Sequence, residues 1–440
     1  MGEKGMNIAV IGAGYVGLVT GVSFANLGND VVCVENDREK LALLRKAVPP
    51  FYELGLAELL KKNIDAGRLR FSDTVSDGIR NAEAIFIAVG TPSLPDGSAD
   101  LSAVWSVAEE IAAHLDHKAL IVTKSTVPPG TTKELKNFLA SRLDVKFEVA
   151  NNPEFLRQGT AIRDFILPDR IICGVEGDYG KRVLGSLYSG IARPDRPILF
   201  MDTVDSELVK YASNTFLALK ISFINEIASF CASLGGDIDE VAKGMGLDRR
   251  IAPRFLHAGI GFGGSCFPKD TKALVYEMEK RSLYPGILKE VLKRNQLQRM
   301  LVIEKLKMLY PEGISGKSVG IWGLSFKPNT DDMRNAPSID IISALLEEKA
   351  VVRAYDPYAM KQANRIFPDV TYCPNAYDAA REVDALLVLT EWHEFRDLDF
   401  ERVVSLMHNP VMVDGRNMFN PRDMSRLGFR YLSIGRRDYI

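Results

Sequence analysis

Short apolar runs recur through the first third of the chain, at residues 7–12, 30–35, 83–90, 120–126 and 147–151, each closed by a glycine, a proline or a polar loop. Amphipathic stretches fill the intervals between them. This rhythm predicts an α/β fold that begins with a Rossmann-type doubly wound parallel sheet covered by helices on both faces. Ligands of such sheets sit beyond the carboxyl ends of the strands, so the loops opening at Gly12, Gly90, Thr126 and Asn151 are expected to share one crevice.

Residues 206–234 form an apolar-rich stretch without proline or glycine that stops at Gly235-Gly236, which predicts one helix. At about 1.5 Å per residue it would span about 43 Å, long enough to link two domains and to offer a dimerisation surface. Residues 287–309 predict a second helix. After Gly313 the strand rhythm restarts at 318–322, 351–356, 384–390 and 411–414, predicting a second, smaller Rossmann-like α/β domain. Its first turn, GIWGLSF, has Gly320 and Gly323 but lacks the full GxGxxG, so its expected ligand is not a dinucleotide pyrophosphate. The expected domains are 1–203, a central helical 204–312, and 313–440.

Composition narrows the classes. Apolar residues at 46% and charged residues at 25% suit a globular enzyme, and 55 basic against 57 acidic residues give no reason to expect nucleic acid or a membrane surface as partner. The N-terminal residues lack the apolar core and cleavage site of an export signal, and no apolar run reaches the ~20 residues of a membrane span. Five scattered cysteines without a CxxC pair argue against disulfides and zinc, so no metal and a reducing cytoplasm are expected.

Candidate chemistry starts at the first strand, which runs into Gly12-Ala13-Gly14-Tyr15-Val16-Gly17, a helix, and a second strand delivering Glu35. Gly12 permits the tight turn, Gly14 lets a pyrophosphate approach the backbone, and Gly17 allows close helix packing. Glu35 can accept both ribose hydroxyls and repels a 2′-phosphate, which points to NAD over NADP. Lys40 reads either as a contact to the adenosine end or as a solvated lysine. Further on, the segment GFGGSCFPKD at 261–270 places Cys266 just before a helix that Pro268 can open. A helix N-terminus favours a thiolate, whereas Cys33, Cys173, Cys231 and Cys373 sit in apolar surroundings as small hydrophobes.

GFGGSCFPKD resembles the active-site segment of the UDP-glucose dehydrogenases. Matches to the same family continue at Val89-Gly-Thr-Pro-Ser93, Lys124-Ser-Thr-Val-Pro128, Asn152-Pro-Glu-Phe-Leu156, Lys210-Tyr-Ala-Ser-Asn214, Phe326-Lys327-Pro328 and Asp414-Gly-Arg416, covering nearly the whole chain in the family's order. The resemblance implies a four-electron oxidation of UDP-glucose at C6 with two NAD, through a thiohemiacetal and a thioester on Cys266 that water hydrolyses. Lys210 and Asn214, one turn apart on the long helix, would stabilise an alkoxide or oxyanion, although alone they read as a solvated lysine and a surface asparagine. Asp270 would position water or tune Lys210. Glu154 and Thr126 would hold the hydrolytic water; alternatively Glu154 is an exposed loop carboxylate and Thr126 a helix cap.

For the cofactor the resemblance adds Thr91, Pro92, Ser125, Thr126, Gln158, Lys269 and Arg334. For the sugar nucleotide it implies Glu154, Phe155, Leu156, Lys210, Asn214, His257, Gly259, Gly263, Phe326, Lys327 and Arg416, with Arg250 reaching the site of a partner in a homodimer or higher assembly. Glu35 stands where aspartate is commoner, and Gln158 where some relatives carry an acid. Similar enzymes act on GDP-mannose or UDP-N-acetylmannosamine; the latter usually have a histidine before the nucleophile, where this chain has Ser265. Two-electron hydroxy-acid dehydrogenases would share the first half of the pattern but need no Cys266. A nucleotide-sugar sensor would need neither Cys266, Lys210 nor Glu154, and all three are present.

Overall fold

The computed structural model describes residues 5–440; the first four, part of the N-terminal segment considered above for export, lie outside the described residues. The chain divides into two compact units, residues 1–213 and 214–440.

The first unit is built on eight strands: β1 Asn7–Ile11, β2 Asp30–Val34, β3 Leu69–Ser72, β4 Ala84–Ile87, β5 Ala119–Thr123, β6 Phe147–Asn151, β7 Ile171–Val175 and β8 Ile198–Met201. Their order is β3-β2-β1-β4-β5-β6-β7-β8. The pairs are parallel except β6 with β7, which is antiparallel. A parallel sheet is covered on both faces, so its strands read as unbroken apolar runs, and β1 shows why. Ile8 and Val10 pack on one side with Leu18, Phe24 and Phe86; Ala9 and Ile11 pack on the other with Ile85, Ile87 and Ile111. The rings of Phe165 and Tyr188 close around Phe24 at 5.2 and 5.4 Å.

The long helix spans Thr203–Ser233, three residues earlier than its apolar pattern suggests. The Asp202 carboxylate accepts the Val204 N–H at 3.0 Å, satisfying a helix-start donor. The Gly235 backbone turns left-handed and the Gly236 N–H donates to the Cys231 carbonyl, ending the helix. By length and composition this helix could cross a membrane, which corrects the expectation that no segment could. Its apolar stretch is broken by buried polar groups, including Lys210 and Asn214.

The second unit carries six strands: β9 Ser318–Trp322, β10 Val351–Tyr355, β11 Thr371–Tyr372, β12 Ala385–Val388, β13 Val411–Asp414 and β14 Arg430–Ser433. All pairs are parallel, in the order β11-β10-β9-β12-β13-β14. Position for position this repeats the order of the first six strands of the other unit. The acid that follows the second strand differs in its surroundings, however. Asp356 is fully buried, and its carboxylate accepts N–H bonds from Leu324, Ser325, Tyr358, Ala359 and Trp392 at 2.7–3.1 Å. The protein's own donors thus engage the carboxylate that follows the second strand of this sheet, whereas Glu35, which follows the second strand of the first sheet, accepts one backbone N–H.

Candidate functional site

In the first unit, β1 delivers the chain into the glycine turn. Gly12 has φ +96°, and a Cβ there would lie 2.8 Å from the Ala88 carbonyl. A Cβ on Gly17 would lie 1.8 Å from the Gly12 carbonyl, so helix and turn touch. A Cβ on Gly14 would meet nothing within 4 Å: the turn leaves room on the side where a pyrophosphate approaches. Gly14 caps the helix Tyr15–Asn26, whose first turn holds no acidic side chain, so Tyr15 and Val16 present the positive end of the helix dipole. Glu35 is buried at the end of β2 and accepts the Asp37 N–H. Lys40 is exposed and faces Asp37 at 3.7 Å.

The loops after β4 and β5 are stitched together. Thr91 donates to the Thr126 carbonyl at 2.8 Å and Ser125 to the Val89 carbonyl at 2.6 Å, while Pro92 stays exposed. Thr126 caps no helix, since the next one starts at Thr131 with Gly130 as its cap. The loop after β6 holds Glu154, which is buried rather than exposed. The Lys210 ammonium donates to the Glu154 carboxylate at 2.9 Å and to its backbone carbonyl at 2.5 Å, and lies 5.2 Å from the Phe155 ring centroid. Burial pushes the Glu154 carboxyl up, but the Lys210 charge and hydrogen bond, the Leu156 N–H and the Lys124 charge outweigh it and hold the group below its ordinary range. Gln158 follows in the same loop, half-buried.

Sequence reasoning gave Lys124 no role. It is buried beneath Glu154, donating to Asn152 at 3.0 Å and Tyr188 at 3.4 Å, and the four residues line one cavity. Burial, against the pull of Glu154, brings its ammonium down to about 8. Its partners are 28 and 64 residues away, so no local signal announces them.

In the second unit, Cys266 caps the helix Phe267–Lys280, and Pro268 lies one position inside it. Its sulfur is half-buried, 3.6 Å from the Ser265 hydroxyl and within electrostatic reach of the Arg334 guanidinium. One turn into the helix the buried Asp270 carboxylate accepts from Asn214 at 2.6 Å and Lys269 at 2.6 Å. Asn214 is buried rather than on the helix surface.

The loop from His257 to Gly264 is held by buried amides. The Gly259 N–H donates to Asn225 at 2.9 Å, the Phe262 N–H to Asn295 at 2.8 Å, and Gln298 donates to the Gly259 carbonyl at 2.7 Å. Buried Asn and Gln on an otherwise apolar helix face were the signal that could have found them. Glycine is required at 263 and 264: a Cβ would lie 2.3 Å from the Asn335 carbonyl and 2.8 Å from the Phe326 ring, with Gly264 at φ +84°. Arg416 crosses to this loop, donating to the carbonyls of Gly261 and Phe326 at 3.2 Å and of Leu389 at 2.8 Å. Lys327 lies 5.7 Å from the Phe326 ring centroid. His257 is exposed; Arg250 is exposed and paired with Asp248 at 2.6 Å, and Arg334 with Asp332 at 2.6 Å.

Three family models match successive parts of the chain, all described as UDP-glucose/GDP-mannose dehydrogenase family: an NAD binding domain over residues 6–192, a central domain over 204–297 and a UDP binding domain over 320–421. A UDP-glucose 6-dehydrogenase of Pseudomonas aeruginosa is 45% identical over 98% of this chain and 98% of its own. Among solved structures, a UDP-glucose dehydrogenase of the archaeon Pyrobaculum islandicum superposes with a TM-score of 0.91 at 39% identity, covering 98% of each chain. A UDP-D-ManNAc dehydrogenase of Pyrococcus horikoshii superposes at 0.86 with 27% identity, covering 98% of this chain and 99% of its own.

Proposed function

The chain belongs to the UDP-glucose/GDP-mannose dehydrogenase family, and from that premise we propose that it oxidises the C6 alcohol of UDP-glucose to a carboxylate through a thiohemiacetal and a thioester on Cys266. The observation that carries the reading is Cys266 itself: a thiol at a helix N-terminus, within electrostatic reach of an arginine and one turn from a buried carboxylate. The greater identity to the UDP-glucose dehydrogenase structure, 39% against 27% for the UDP-D-ManNAc enzyme, favours glucose, as does Ser265 before the cysteine.

NAD supplies the hydride acceptor for both oxidations. The chain's own residues manage the carbon, the sulfur and the protons. Lys210 steadies the alkoxide of the C6 alcohol as its proton passes to water. The Cys266 thiolate adds to the aldehyde carbon, forming the C–S bond, and Lys210 and Asn214 stabilise the oxyanion. After the second oxidation the carbon is a thioester; water held by Asp270, Thr126 and Glu154 attacks it, the C–S bond breaks, and the thiolate returns. The ionised state of Glu154 suits it to take the proton from that water.

Gly12, Gly14, Tyr15, Val16 and Gly17 would hold the NAD pyrophosphate, Glu35 its ribose and Lys40 its adenosine end, and Thr91, Pro92, Ser125, Thr126, Gln158, Lys269 and Arg334 would make its remaining contacts. Phe155, Leu156, His257, Gly259, Gly263, Phe326, Lys327 and Arg416 hold the sugar nucleotide, the cations facing the diphosphate. Two chains pair through the long helix, and Arg250 serves the partner's site. A thiolate nucleophile suits a reducing cytoplasm. Incubation with NAD and a panel of nucleotide sugars tests the reading: about two NADH should form per UDP-glucose consumed with no free aldehyde, and a ratio of one would refute the four-electron mechanism.

A further inference from the structure

The sequence segment PPFYELG, residues 49–55, has no part in the chemistry above, yet it inserts a buried carboxylate into the middle of the first unit. Glu53 is surrounded by donors from two other segments. The Tyr15 hydroxyl, from the first residue of the helix that follows the glycine turn, donates to its Oε2. The Gly159 N–H donates to the same oxygen at 2.6 Å, and the Ala161 N–H to Oε1 at 2.8 Å. Phe51 packs on the Tyr15 ring at 5.0 Å, and the Tyr15 hydroxyl also lies 3.4 Å from the Arg157 carbonyl. One carboxylate thus ties the glycine turn to the loop 154–161, and its sequence distances of 38, 106 and 108 residues make it a tertiary fastener rather than a local turn.

We infer that Glu53 is a positioning residue that passes the ordering of the glycine turn by bound NAD, through the Tyr15 hydroxyl, to the loop at 157–161. Both oxygens of Glu53 are engaged on that loop, so the position of Tyr15 sets the position of the loop. A ligand that fixes the Tyr15 backbone at the helix N-terminus fixes all three segments together. The inference rests on NAD lying at the glycine turn and not on which sugar is oxidised, so a chain that turned over no UDP-glucose would still give the result.

Hydrogen exchange of the full chain, read by mass spectrometry on peptides covering residues 157–166 with and without saturating NAD, tests it. NAD should slow exchange at Gly159 and Ala161 several-fold in the natural chain. In Tyr15→Phe, which leaves both amide bonds to Glu53 in place, that NAD-dependent slowing should vanish at NAD concentrations that saturate the variant, as read by titration of its NAD binding. Glu53→Gln, which keeps only one acceptor oxygen, should lose it as well. Undiminished slowing in Tyr15→Phe, as direct contact between NAD and Gln158 would give, overturns the inference; so does the absence of slowing in the natural chain at saturating NAD.

Discussion

Two residues show how burial and charge decide behaviour at the smallest scale. Serine in place of Cys266 keeps the shape but has far too little alkoxide at neutral pH to add to a carbonyl. Turnover of Cys266→Ser should therefore fall by orders of magnitude with NAD and UDP-glucose binding retained, and intact mass spectrometry should find ester-linked sugar nucleotide if any adduct forms. Near-normal turnover would remove the cysteine from the mechanism. Lys124 gives a prediction in pH. Its ammonium is pushed by burial from 10.5 to about 8, so between those values the unfolded chain holds a proton that the folded chain has released. Stability then rises with pH across that window: the cost of burying the charge is present in full below pH 8 and gone above 10.5, a swing on the order of 3 kcal/mol. Urea denaturation of the natural chain and Lys124→Met at pH 7.5 and 10 should show the difference moving in the natural chain's favour. A flat or opposite trend would show that the fold does not depress the Lys124 ammonium, which would then stay charged across the window.

At the scale of elements, the long helix leaves Phe216 and Phe230 60% and 64% exposed, with Phe223 between them at spacings of seven. Such a stripe suits the seam of the helix pair proposed above. Phe223→Asp should turn a dimer into monomers in sedimentation velocity at little cost to folding, since the ring is already half exposed; an unchanged dimer would place the interface elsewhere. The helix shows what the sequence makes legible. Its apolar content and its Gly235-Gly236 stop are local, and both hold; its start moved because Asp202, outside the apolar run, caps it. Among strands buried on both faces, β1, β4, β5, β12 and β13 were legible for the same reason, while β7 was missed. β3 and β14 were not: each is four residues long with an exposed arginine, Arg70 or Arg430, and only the neighbouring strand reveals the pairing. In the site, the glycine turn and Cys266 carry their geometry in adjacent residues, whereas the burial of Glu154 depends on Lys210, 56 residues on.

The whole molecule uses one strand order twice with opposite treatment of the acid after the second strand. Glu35 accepts a single backbone bond from its own loop, and Asp356 takes five N–H donors. That difference makes the distinct setting of Asp356 hard to reverse. Any change that withdrew Asp356 to free it for a ribose, or shortened it, would strand several buried N–H groups at about 1–3 kcal/mol each, more than a marginally stable domain can lose. Restoring the missing glycines of GIWGLSF would not be enough. Mutational drift in this unit is thus ratcheted: exposed loops can vary, while Asp356 holds the frame on which they are carried.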